Sequence, residues 1–185
     1  MSNSKNFNLS SLNAAIECGL EPEFVFFWKP EPKFEGMVDQ SCLCQWWPSP
    51  FEVDGVVYST AEHFMMAEKA HLFGDEETRR QILSTPDPKL AKNLGRSVRG
   101  FDDKVWLQHR FDIVVQANLA KFGQHPLLKH FLLDTGESIL VEASPIDRIW
   151  GIGLAEDDPC ATNPEQWQGL NLLGFALMTV RSMLR

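Results

Sequence analysis

Little in this sequence invites a metal site or a disulfide framework. Four cysteines among 185 residues (Cys18, Cys42, Cys44 and Cys160) make one Cys-x-Cys pair and no second pair to complete a zinc site. They read as reduced structural thiols. The five histidines form no His-Glu-x-x-His array, so no protein-held metal and no cofactor are expected. Long apolar runs are also missing. Stretches such as Val25–Trp28 and Ile139–Val141 fall far short of the ~20 residues that span a bilayer. Met1–Asn8 is polar, carries one lysine and lacks the apolar centre of a secretory signal. A loose tail, a cytoplasmic protein and no membrane partner are therefore expected. An excess of positive charge is absent too. The net charge of −8 disfavours a broad grip on duplex nucleic acid.

What is present is a chain long enough for one domain with a sizeable core. Its 44% apolar and 23% charged residues suit a globular protein. There is no internal repeat and no convincing linker. Residues 1–20 read as a partly helical N-terminal extension, with a helix over Leu9–Cys18 opened by Ser10 or Ser11. Residues 21–185 read as the main domain. Phe24–Trp28 predicts a buried strand, and Phe51–Tyr58 predicts a hairpin turning on Asp54-Gly55. From Ser59 the pattern becomes helical, with Ser59-Thr-Ala-Glu62 matching a capping box. Helices are expected over Glu76–Leu83, Lys89–Leu94 with Gly95 as the stop, Asp103–Phe122, Pro126–Leu133 and Leu170–Leu184. The long helix is expected to bury Val105, Phe111, Val114, Val115 and Leu119. Ser138–Ala143 predicts a short strand, followed by a glycine-containing turn over Arg148–Leu154. The fold class is mainly α within α+β: a single compact helical domain with a hairpin and a few short strands.

Several residues have the chemistry of a site. Glu62 and Lys69 are seven apart, almost two helical turns, and so leave one face. Partial burial there would lower the lysine pKa and make the amine nucleophilic. Spacing alone leaves a second reading open, in which Glu62 only caps the helix and Lys69 is a surface lysine. Gly95-Arg96 offers close backbone approach and a guanidinium fork for phosphate, or simply a helix stop and a surface arginine. Arg96 belongs to a basic zone in which eight cations between Arg79 and Arg110 face three acids, Asp87, Asp102 and Asp103. Such a zone takes one or two phosphates, or is a set of solvated helix faces. Asp147 and Trp150 share a loop with Gly151 and Gly153, where an aromatic ring stacks a base while a carboxylate handles a proton or a ribose hydroxyl. A packed tryptophan and a turn aspartate fit the same residues. Asn171 is a helix cap or a ligand hydrogen-bonder. Trp106 and Arg110, four apart on the long helix, are spaced to stack on each other.

Together these segments resemble the NADAR family, also called YbiA-like, from about Phe27 to Arg185. The resemblance is carried by Val53-Asp-Gly55, Glu62-His63, Lys69-Ala70, Gly95-Arg96, Trp106, Arg110, Lys121-Phe122, Leu132 to Gly136, Leu140-Val-Glu-Ala143, Asp147, Trp150-Gly-Ile-Gly153, Gly169-Leu-Asn171 and Leu173-Gly174. Where members commonly carry a Ser-Asn-Phe-like triplet before the hairpin, this chain reads Cys44-Gln45-Trp46-Trp47. That marks a difference in the expected base pocket. The resemblance implies an N-glycosidase that cleaves ribose from an exocyclic amine. The implied substrates are guanine-linked ADP-ribose in nucleic acid, or ribosylamino-pyrimidine phosphates of riboflavin synthesis. Such a glycosylamine opens to an imine, which implies Lys69 as a Schiff-base nucleophile and Glu62 and Asp147 as proton-transfer groups. It further implies substrate binding by Arg96, Trp150, Gly151, Asn171, Trp106 and Arg110. The alternative is a module that binds ADP-ribose without cleaving it.

Overall fold

The computed structural model describes residues 7–185. The polar tail expected over Met1–Asn8 lies mostly outside the described residues. In chain order the elements are α1 (Leu9–Glu17), β1 (Phe24–Phe27), β2 (Phe51–Val53), β3 (Val56–Tyr58), α2 (Ala61–Leu72), α3 (Glu76–Ser84), α4 (Pro88–Arg96), α5 (Asp103–Gln124), α6 (Pro126–Asp134), β4 (Ile139–Glu142) and α7 (Leu172–Leu184). The fold is α+β and mainly helical, as the periodicity predicts. No helix among the described residues is long and apolar enough to cross a membrane. The residues form two compact units, one holding residues up to Cys44 and from Leu127 onward, the other Gln45–Pro126.

The first unit is built on a two-stranded parallel ladder, with Phe24 opposite Ile139 and Phe27 opposite Glu142. The β4 strand packs against α7, and β1 against the short 3₁₀ turn at Gln40–Leu43. Only Phe27 of β1 is buried and Trp28 is exposed, so the strand is less enclosed than its composition predicts. Helix α1 is capped by Asn8, not by Ser10 or Ser11. The Asn8 Oδ1 accepts from the Ser11 N–H at 2.9 Å, and Ser11 returns a bond to the Asn8 backbone. An asparagine whose extended backbone precedes the first helical residue fits that geometry best. Near the other end, Arg181 of α7 is buried and donates to Thr135 Oγ1 and the Ser138 carbonyl, which ties the helix to the turn before β4.

The second unit has α2 at its centre, packed on α3, α4, α5 and β3. The β2–β3 hairpin forms as expected, with Asp54 at φ 51° and Gly55 at φ 78° supplying the tight turn. The capping box expected at Ser59 does not form. Thr60 is the cap, its hydroxyl accepting from the His63 N–H, and this moves Glu62 from the third to the second helical position. Gly95 does not stop α4, which runs through Arg96 and ends at Ser97. Nor does α5 bury the predicted stripe. Its buried residues are Trp106, Val114, Ala117, Asn118, Lys121 and Phe122, whereas Val105, Phe111, Val115 and Leu119 are only partly covered. Apolar residues lie all round this helix, so their spacing does not select a face. Two polar residues on the buried side mislead a hydrophobic count further.

Candidate functional site

Lys69 lies in the last turn of α2 and is half-buried. Its Nζ donates to the Gly95 carbonyl at 2.8 Å. It also sits 4.3 Å from the centre of the Phe101 ring and 5.5 Å from that of Trp106. No carboxylate lies within ion-pair distance of Lys69 among the described residues. Burial, reinforced by the nearby charge of Arg96, lowers the Lys69 pKa from its ordinary value. Two ring faces and one carbonyl therefore hold the amine in place without locking it as an ion-paired ammonium. That is the environment of a lysine that can give up its proton and attack.

The approach of α4 to α2 depends on Gly95. A Cβ there would lie 2.0 Å from Met66 Sδ, so only glycine brings this carbonyl to the amine without displacing Met66. Glu62, Met66 and Lys69 form one stripe of α2, as the spacing predicts. Glu62 is 2% exposed. Its backbone N–H donates to the Gln45 carbonyl at 3.1 Å. Gln45 also accepts from Asn118 Nδ2 at 2.9 Å, while Gln45 Nε2 and Asn118 Oδ1 are buried without a hydrogen-bond partner. Gln45 thus supplies an anchor for the start of α2, beside spare buried polar capacity. Arg96 is exposed. Trp106 and Arg110 do not stack on each other; Lys69 takes the Trp106 ring instead. The Arg110 guanidinium is half-covered, and its pKa is lowered by burial.

In the first unit the loop after β4 is shaped by backbone contacts. Asp147 Oδ1 accepts from the N–H groups of Ile149 and Trp150, at 2.9 and 2.8 Å. This fixes the half-buried Trp150. A Cβ on Gly151 would meet the Glu142 carbonyl at 2.8 Å, so this position needs glycine. Asn171 is fully buried in the left-handed region, with φ 52°. Its side chain does not cap α7. Nδ2 donates to the Leu140 carbonyl at 2.9 Å, and Oδ1 accepts from the Glu142 N–H at 3.0 Å. Asn171 is thus a clamp that fixes α7 against β4.

Sequence reasoning missed Phe101 and Asn118, and it named Gln45 only as part of the Cys44–Trp47 departure. Phe101 precedes the cap Asp102 of α5, and Trp106 is four residues into that helix. An apolar pair at those two positions is a hydrophobic staple, a signal that was available. Gln45 and Asn118 are 73 residues apart, and their pairing left none. Among the described residues, no group of three or more His, Cys, Asp or Glu side chains could hold a metal ion.

The chain belongs to the NADAR family: the NADAR domain model matches residues 26–185. Among known proteins, it is 44% identical over 164 residues to N-glycosidase R617 of Acanthamoeba polyphaga mimivirus, covering 86% of this chain and 95% of that one. It is 33% identical over 135 residues to N-glycosidase YbiA of Escherichia coli, covering 73% of this chain and 76% of the relative. The NMR structure of E. coli YbiA matches the fold with a TM-score of 0.67 at 27% identity, covering 89% of this chain and 86% of that structure.

Proposed function

We propose that this protein releases ribose from an exocyclic amine through a covalent imine on Lys69. The reaction class is hydrolysis of an N-glycosyl bond, the activity its relatives carry in their names. The observation that carries the mechanism is the Lys69 amine, half-buried, held by one carbonyl and two rings, with its pKa lowered. A glycosylamine opens to an imine between C1 of the sugar and the amine of the base. The neutral Lys69 amine adds to C1, and the base leaves as a free amine after taking up a proton. Water then adds to the lysine imine and releases the sugar as an aldehyde that recloses, restoring the amine. Each half-reaction needs one proton donor and one acceptor. Glu62 and Asp147 are the carboxyl groups proposed for these steps.

Arg96 and Arg110 supply positive charge for phosphate, and Trp106 and Trp150 supply ring faces. Gly151 gives the loop its close backbone approach. Asn171 acts by positioning, because both ends of its amide are already bonded to β4. The substrate class is guanine-linked ADP-ribose in nucleic acid or a ribosylamino-pyrimidine phosphate. In this reading the enzyme works in the cytoplasm, in keeping with the free thiols of Cys18 and Cys160.

Borohydride reduction during turnover tests the mechanism. A ribosyl adduct on Lys69, found by peptide mass spectrometry, is the expected result. Turnover with no adduct, and an undiminished rate in Lys69→Ala, would replace it with direct expulsion of the base. Calorimetric binding of ADP-ribose with no release of base over long incubation would favour the non-catalytic module. Comparing kcat/KM for the two substrate classes assigns the substrate.

A further inference from the structure

Helix α2 presents a second face to a small cleft. Phe64, Glu68 and His71 lie about half a turn round the helix from the stripe of Glu62, Met66 and Lys69. They line a cleft of about 190 Å³, closed on its other sides by the β2–β3 hairpin, Arg79 of α3 and Gln116 of α5. This is below the range of drug-sized pockets. It holds a molecule of roughly six to eight non-hydrogen atoms, counting about 30 Å³ for each water displaced.

The two opposite charges in this cleft, Glu68 and Arg79, are both hydrogen-bonded to the Tyr58 hydroxyl but are not joined by a direct ion pair. The Tyr58 hydroxyl lies 3.4 Å from Glu68 Oε1, at the outer limit of a hydrogen bond. Arg79 Nη1 is 3.6 Å from Glu76 Oε2, and Arg79 Nε is buried with no hydrogen-bond partner. No ion pair joins Glu68 to Arg79, although both line the same small space. The Tyr58 phenol feels both. Burial and the Glu68 charge raise its pKa, with Arg79 opposing them, so the hydroxyl keeps its proton at neutral pH. His71 is engaged outward by Glu76 at 2.9 Å. The floor is the buried Phe64 ring, and one wall is formed by Val53 and Val56.

A carboxylate and a guanidinium that line one small cleft without a direct ion pair, beside the apolar Phe64, match a ligand with the opposite arrangement of charge. The geometry points to a binding site for a small zwitterion, an amine-bearing carboxylate whose ammonium meets Glu68 and whose carboxylate meets the Arg79 guanidinium. The carbon stem lies on Phe64 and Val56. This site uses none of the residues assigned to ribose chemistry and stands independently of that assignment.

Calorimetric titration of the full chain tests it. The probes are glycine, β-alanine and γ-aminobutyrate, with butyrate and butylammonium as singly charged controls. At least one zwitterion should bind with a Kd about tenfold or more below those of both controls. Glu68→Gln keeps a partner for Tyr58 but drops the charge, and should lose most of that advantage. Val56→Trp should fill the cleft and abolish binding while the protein stays folded by circular dichroism. Zwitterions that bind no better than the controls would overturn the site. So would affinity unchanged in both Glu68→Gln and Val56→Trp.

Discussion

Lys69 and Asn171 are both polar groups held by named hydrogen bonds, yet their surroundings differ in kind. Asn171 is fully buried, and both ends of its amide are bonded to the backbone of β4. Lys69 is half-buried and has one carbonyl and two ring faces. The glycines beside them differ in the same way. A Cβ at Gly174 would lie 2.0 Å from the Leu140 carbonyl, which is rigid backbone. At Gly95 the obstacle is the side chain of Met66, which is flexible. The first region is built to be immobile. The second keeps an amine half-buried with one carbonyl partner and no ion pair, as the proposed nucleophile requires.

The largest effect expected is on catalysis. Lys69→Ala should lower turnover by about a thousandfold, or about 4 kcal/mol in the barrier, while leaving the fold intact. A rate within tenfold of the parent would break the contrast, because Lys69 would then be another structural tie. Next comes Gly174→Ala. The Leu140 carbonyl cannot move without the β1–β4 ladder, so urea unfolding should show a loss of about 3 kcal/mol. A loss under about 1 kcal/mol would mean that this backbone gives way as readily as a side chain.

The same contrast governs what could be read from sequence. Elements that punctuate themselves were legible. The hairpin carries Asp54-Gly55, and β4 is a short apolar run before a glycine loop. Glu62 and Lys69 share a face because helical spacing requires it. Long-range contacts were not legible. Nothing local says that Gly95 faces Met66 rather than ending a helix, or that Gln45 holds the start of α2. The cap of α2 was misplaced by one residue because Ser59 and Thr60 both have capping side chains, and only backbone geometry chooses between them. Asn171 could be read as a side-chain cap or a ligand-binder; it makes no cap bond, and nothing local announces its bonds to a strand 29 and 31 residues away.

Gly95→Ala should cost less than Gly174→Ala. Displacing Met66 is offset in part by the better helix propensity of alanine, leaving a net loss of about 1 kcal/mol. Adding Met66→Ala should make the two changes couple favourably by roughly 1 kcal/mol in a double-mutant cycle, since the smaller residue makes room. Strict additivity would mean that Met66 is not the obstacle.

The smallest effect concerns His63, on the same helix and 1% exposed. Its Nε2 faces the Thr85 carbonyl at 3.0 Å, and a carbonyl only accepts, so Nε2 carries the proton. Nδ1 then accepts from the Thr60 hydroxyl at 2.8 Å. Burial lowers the His63 pKa, outweighing the Thr85 bond and the Asp87 charge that favour the proton. Above the ordinary histidine value of 6.5, folded and unfolded chains both hold this ring neutral, and it contributes no pH dependence. As pH falls below that value the unfolded chain takes up a proton that the folded one refuses. Stability then falls, with a slope no steeper than about 1.4 kcal/mol per pH unit for one proton, until the folded state protonates as well. His63→Gln keeps a donor toward Thr85 but cannot titrate. Urea unfolding at a series of pH values should therefore give the variant a shallower loss than the parent below 6.5. Equal slopes would mean that His63 takes up its proton in the folded protein as readily as in the unfolded chain.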